Sequence, residues 1–360
     1  MMMAHETVAR CDASRFIFLR PLSGVRRPDH VASVRRPILK NVDGKDELLN
    51  KVCSSRAQRL ISKSNANIVA ASSSESEYDE GSKQALVLGY RILAITFMAG
   101  GCAELFVPQK MAEISASLSL LSTNAYLLRM LGAANILSAV YLNAVSEAAR
   151  KNLLGSQTYR RLAWWMVLSF AAGSFVVLKS SVALSTTSIV LRALPVYMLV
   201  SLYWKAYEEI PVLAIIPDTI AAVKSILLPK NLAAGFFSLW TVYKAMVGVG
   251  LLVLPAKMWE LAFGGGTDAY GLLMARMTGL AYCTVAVGAY TLKDAADRGR
   301  LGASTFKSIT MGLFIVALSS LVLITGVHPD VYLPHLKIGK AVGEAIAAAV
   351  LLYLYSTQKK

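Results

Sequence analysis

From about Ala85 to Tyr355 the chain is written almost entirely as apolar stretches near the length of a bilayer crossing, separated by short charged loops. No other feature constrains the fold as much. A backbone in hydrocarbon must satisfy all its N–H and C=O groups internally, and a helix needs about 20 apolar residues to cross. Runs bounded by charges, proline and glycine place spans near 86–107, 124–146, 161–182, 187–207, 233–254, 269–292, 304–327 and 338–356. Composition agrees, with 55% hydrophobic and only 16% charged residues, against roughly a quarter charged in soluble domains. The expected class is an all-α polytopic membrane protein of about eight transmembrane helices.

The segment ELFVPQKMAEI, Glu104 to Ile114, recurs as LLVLPAKMWEL, Leu251 to Leu261, at an offset of 147 residues. The same offset, without a gap, brings Gly101 onto Gly248, Arg129 onto Arg276, Gly132 onto Gly279, Glu147 onto Asp294 and Gly155 onto Gly302. Register held across helices and loops marks two tandem four-helix repeats, 85–207 and 232–357. An even number of spans per unit gives both the same orientation, so a parallel pseudo-twofold axis along the membrane normal is expected. The linker, 208–231, holds an amphipathic segment between Pro217 and Pro229 suited to the interface, and a basic tail, 358–360, follows the second repeat.

Residues 1–70 differ in kind. Thirteen Lys/Arg stand against six Asp/Glu, with scattered serines and no apolar core of a secretory signal. The Ile68-Val69-Ala70-Ala71 stretch resembles a plastid transit-peptide cleavage context, and the acidic, serine-rich 71–84 would begin the mature chain. A chloroplast membrane, envelope or thylakoid, is the expected location, with a mitochondrial inner membrane or an uncleaved disordered tail as alternatives. Lys and Arg crowd the loops on the N-terminal side, including Arg150, Lys151, Arg298 and Arg300, which puts both termini in the stroma.

Ionisable groups within spans are expensive and therefore candidate functional groups. Arg129 and Arg276, placed symmetrically by the repeat, could face a central cavity and bind an anion, or snorkel and pair with Glu113 or Glu260. Glu104 could pair with Arg129. Lys244 and Glu344 lie inside apolar spans and are each other's expected partners, as a structural staple or an ion-coupled site. In the repeated phrase, Pro108 and Pro255 should end a helix or open a turn, and Lys110–Glu113 and Lys257–Glu260 have the spacing of local ion pairs. Cys102 and Cys283 read as small hydrophobes, and the loop VHPDVYLPH, His328 to His335 at its ends, reads as a turn with two exposed imidazoles rather than a metal site.

No Walker motif, G-x-S-x-G, histidine cluster or metal-ligand spacing is written in the chain. No catalytic residue, cofactor or metal is expected, nor a nucleic-acid partner. The leading expectation is a transporter- or channel-like cavity between the repeats for a small anionic or amphipathic molecule. The alternative is a membrane scaffold or assembly factor that uses its basic stromal loops on protein partners or lipid; an integral-membrane enzyme ranks third.

Overall fold

The computed structural model describes residues 80–116, 120–182, 186–207 and 224–358. The expected transit segment, the linker core 208–223 and the last two lysines lie outside them. Among the described residues the apolar runs and their elbows form the helices α1 Glu80–Phe106, α2 Pro108–Ala116, α3 Ser122–Arg150, α4 Gln157–Leu178, α5 Thr186–Ala206, α6 Leu232–Val253, α7 Pro255–Phe263, α8 Ala269–Asp297, α9 Ser304–Val322 and α10 Pro334–Thr357. Among the described residues no strand is present. Seven helices among the described residues (α1, α3, α4, α6, α8, α9 with the π-turn Leu323–Val327 that extends it, and α10) are long and apolar enough to cross a bilayer. The protein is therefore an integral membrane protein of helical, polytopic type. The remaining long helix, α5, has 21 residues and contains Pro195.

Burial sorts these helices. Of the most apolar window of each, 78% of α3 and 83% of α8 is buried, against 22% of α10 and 28% of α1. Thus α3 and α8 form the centre, and the other helices cover them while turning Leu, Ile, Val and Phe outward, as at Ile95, Phe175, Leu239, Met246 and Ile338. In water such a surface would aggregate; in lipid it is the solvent-matched face.

Each central helix is gripped by a close partner, α3 by α1 and α8 by α6. Both crossings rest on glycines. A Cβ on Gly101 would lie 2.7 Å from the Gly132 carbonyl oxygen, and one on Gly279 would lie 2.7 Å from that of Gly248. Absence of side chains lets the backbones meet, which in lipid substitutes packing for a hydrophobic drive.

The helix bounds themselves recur. α2 and α7 begin and end 147 residues apart, as do α3 and α8, while α4 and α9 begin 147 apart. Contacts between the halves are reciprocal too: α4 packs on α8, and α9 on α3, around the α3–α8 seam. At the middle of that seam the correspondence is broken. Tyr141 of α3 donates to the Thr284 carbonyl at 3.0 Å, and its hydroxyl occupies the space a Cβ on its counterpart Gly288 would need. Two tyrosines could not share the position, so one half supplies the ring and the other the room. Gly288→Ala is expected to destabilise by about 1–3 kcal/mol, an overpacking cost. The penalty should shrink when Tyr141→Phe is already present, which a double-mutant cycle of denaturation in detergent will read.

The repeated phrase folds as α2 and α7. Pro108 and Pro255 occupy the first helical positions, where a missing N–H costs nothing. Both prolines are buried, whereas Lys110, Glu113, Lys257 and Glu260 are all exposed and form none of the local ion pairs that their spacing permits. Structurally the phrase is a capped elbow that turns its methionine, Met111 or Met258, toward the protein.

Candidate functional site

The buried stripe of α6 runs Phe237, Thr241, Lys244, Gly248, Leu251, a helical period that carries Lys244 inward between apolar neighbours. On α10 the inward stripe is Glu344, Ala347, Leu351, with Lys340 one turn before Glu344. Lys244 Nζ lies 2.5 Å from Glu344 Oε1, with side-chain exposures of 1% and 3%. Lys340 Nζ reaches the same carboxylate oxygen at 3.6 Å and donates to the Tyr282 hydroxyl on α8 at 2.5 Å. Two ammonium groups thus share one carboxylate, and aromatic faces supply the rest of the compensation. Lys244 Nζ stands 4.9 Å from the Tyr282 ring centre, and Lys340 Nζ stands 5.1 Å from the same ring and 5.5 Å from that of Tyr332. Tyr332 passes the network to the first half by donating to Tyr126 at 3.1 Å.

The cluster floors a cavity of about 630 Å³ between α6, α7, α8 and α10. Its wall is apolar and aromatic, with Phe236, Trp240, Tyr243 and Phe263 on one side and Lys340, Glu344 and Tyr282 at the polar patch. The helices α6 and α10 barely touch along their backbones, whereas their counterparts α1 and α5 pack together. The Lys244–Glu344 pair therefore bridges a real gap. Lining residues at the rim, Leu239, Tyr243, Leu261 and Leu336, are also exposed on the lipid-facing perimeter.

A second cavity of about 380 Å³ occupies the corresponding place in the first half, closed on the seam side by Met277, Leu280, Ala281 and Thr284 of α8. Thr96, Gly100, Glu104, Met111, Leu131 and Asn135 line it, and the residues 147 later, Tyr243, Val247, Leu251, Met258, Thr278 and Tyr282, line the first. There Glu104 accepts from Asn135 Nδ2 at 2.7 Å. Phe97, the counterpart of Lys244, stacks on Phe170 at 4.3 Å between ring centres, so the cationic cluster belongs to the second half alone.

Arg129 and Arg276 behave otherwise than expected. Both are half-buried, and neither lines either cavity. Neither pairs with Glu113 or Glu260, and Arg129 does not pair with Glu104. Arg129 Nη1 instead lies 3.3 Å from His328 Nε2, while His328 Nδ1 lies 3.1 Å from Ser122 Oγ. The loop imidazole is thus a joint, not an exposed turn residue. The π-turn that ends α9 delivers it, its N–H bonding back to the Leu323 carbonyl at 2.8 Å, and Tyr126 packs edge-on against the ring. His335 stays exposed and lines the rim of the larger cavity. Among the described residues no group of three potential ligands could hold a metal ion.

An Arg guanidinium only donates, so His328 Nε2 must accept and Nδ1–H must donate to Ser122. This tautomer is the neutral ring. Burial, and then the charge of Arg129, hold the His328 pKa below its usual value. A base depressed on folding stabilises fully above its unfolded pKa and loses that stability as pH falls toward the folded value. Tm in detergent should therefore be flat above about pH 7 and drop below about 6.5, the ordinary histidine value. His328→Gln, which can accept from Arg129 and donate to Ser122 without titrating, should flatten the drop.

No protein-family model matches the chain, and no curated protein is significantly similar to it.

Proposed function

We propose that the protein binds an amphipathic molecule in the α6–α10 cavity, as a carrier or channel-like protein of an organellar, plastid membrane. The cavity within the second half replaces the expected inter-repeat pathway, because the arginines that motivated that pathway line neither cavity. The carrying observation is the buried Lys244–Glu344–Lys340 cluster at the polar end of an aromatic cavity whose rim is exposed toward lipid. Such a site suits an apolar body against Phe236, Trp240 and Tyr243 and a hydrogen-bond-accepting head at Lys340. Two cations on one carboxylate leave the patch net positive, which favours a head rich in hydrogen-bond acceptors.

The recurrence of helix bounds and of the glycine crossings at one offset supports tandem duplication of a four-helix unit. Reciprocal α4–α8 and α9–α3 packing supports a parallel arrangement, with α5 as the eighth crossing. On this reading duplication made two cavities, and the loss of α6–α10 contact enlarged the second. A purely scaffolding role through Arg150, Lys151, Arg298 and Arg300 gives no account of a desolvated ion cluster facing an open cavity.

The test is binding of a long-chain monoacylglycerol and of a fatty acid to the detergent-purified protein, followed by thermal shift. Both should raise Tm saturably, and Lys340→Met should weaken the binding about tenfold, the value of a hydrogen bond from a charged donor. Arg129→Ala/Arg276→Ala should leave it unchanged. Binding lost with the arginines and kept without Lys340 would return the site to the inter-repeat seam.

A further inference from the structure

Two residues that line the larger cavity each carry a buried polar atom without a hydrogen-bond partner, Glu344 Oε2 and Thr278 Oγ1. Both residues are more than nine-tenths buried, at 3% and 2% exposure. Thr278 stands out among its kind. The other buried threonines, Thr241, Thr284, Thr291 and Thr310, each donate to the carbonyl one turn back in their own helix. Thr278 makes no such bond, so its hydroxyl is left without a partner in a residue that lines the cavity.

Building on the amphiphile-binding reading, we infer that the preferred ligand carries a hydroxyl-bearing head, a donor as well as an acceptor. Glu344, sharing its Oε1 between two ammonium groups, is a carboxylate and can only accept. A ligand group meeting Oε2 must therefore donate. Lys340 makes two contacts, to Tyr282 and to Glu344, and its third N–H calls for an acceptor. Thr278, one turn from Tyr282 on α8, can take either role. A carboxylate or an ether head satisfies Lys340 and leaves Glu344 Oε2 bare. Hydroxyl groups satisfy all three, so the site selects for alcohols, such as a glycerol or sugar head, over acceptor-only heads. The rejection of an analogue lacking the donor is steep because it leaves a buried polar group unpaired.

The experiment compares a long-chain monoacylglycerol with its di-O-methyl ether, which has the same chain and acceptors but no donor. Binding is read by thermal shift on the detergent-purified protein, on Thr278→Val and on Glu344→Gln. The valine is close to isosteric and removes no hydrogen bond, so its own Tm should equal or exceed that of the parent protein. The alcohol should bind the parent at least about tenfold more tightly than the ether, the factor for a hydrogen bond to a charged group. Thr278→Val, which removes a partner able to serve either head, should weaken both ligands and keep the alcohol preference, whereas Glu344→Gln, whose amide can donate to the ether, should bring the two ligands within about threefold. Equal binding of alcohol and ether by the parent overturns the headgroup inference while leaving the cavity reading intact. Binding of neither ligand overturns both. A preference for the alcohol that survives intact in Glu344→Gln overturns the assignment of the donor-requiring group to this carboxylate.

Discussion

Glu344→Leu is expected to be among the most destabilising single substitutions in the second half, costing about 3–5 kcal/mol, the range for breaking a buried ion pair. It strands two ammonium groups, Lys244 with only aromatic faces for company and Lys340 with the Tyr282 hydroxyl besides. Lys244→Met should cost less, because Glu344 keeps Lys340 within 3.6 Å. That inequality is diagnostic: a simple two-member staple would lose similar amounts from either side. The triple variant Lys244→Met/Lys340→Met/Glu344→Leu should recover most of the loss, since a dry apolar set of similar volume often serves as well as the ions. Denaturant or SDS titration in a fixed detergent measures all three. Wild-type stability of Glu344→Leu would show that the cluster is solvated and the gap open to water.

The second large effect is expected at the glycine crossings. Gly132→Ala places a Cβ 2.6 Å from the Gly101 carbonyl oxygen and 2.7 Å from the Leu105 nitrogen, and Gly279→Ala places one 2.7 Å from the Gly248 carbonyl oxygen. These are backbone atoms and cannot swing aside, so the helices must separate. Each change should cost about 1–3 kcal/mol or more, the overpacking range. Gly100→Ala and Gly235→Ala meet nothing within 4 Å and should be neutral or mildly stabilising by helix propensity. Matched losses at Gly132 and Gly279 would express the common crossing of the two halves. A neutral Gly279→Ala would show that α6 and α8 are not held backbone to backbone.

Much of this was readable from order of residues alone. The spans followed from hydropathy because lipid allows few alternatives, and the 147-residue offset foretold which helices share bounds. Lys244 and Glu344 stood out because ionisable groups in apolar windows have few exits. The cavity did not, since it depends on how far α6 stands from α10, a distance no local pattern encodes. Lys340 did not stand out beside that pair, although its i to i+4 spacing to Glu344 was a pointer. Thr278 and Tyr282 were passed over as ordinary interior residues. For Arg129 and Arg276, symmetry suggested a shared site; burial and the His328 contact instead place Arg129 at a joint between the halves. That contact spans 199 residues of sequence, beyond any spacing argument.

The central claim, a lipid-facing cavity that holds an amphipathic ligand, is tested most directly at Trp240, which lines it. With the other four of the five tryptophans replaced by phenylalanine, a dibrominated monoacylglycerol should quench Trp240 fluorescence saturably, and unbrominated ligand should reverse the quenching. Lys340→Met should shift the curve to about tenfold higher concentration. Quenching that rises linearly with bulk amphiphile, indifferent to competitor and to Lys340, would contradict the claim and leave the cluster as a staple between two helices.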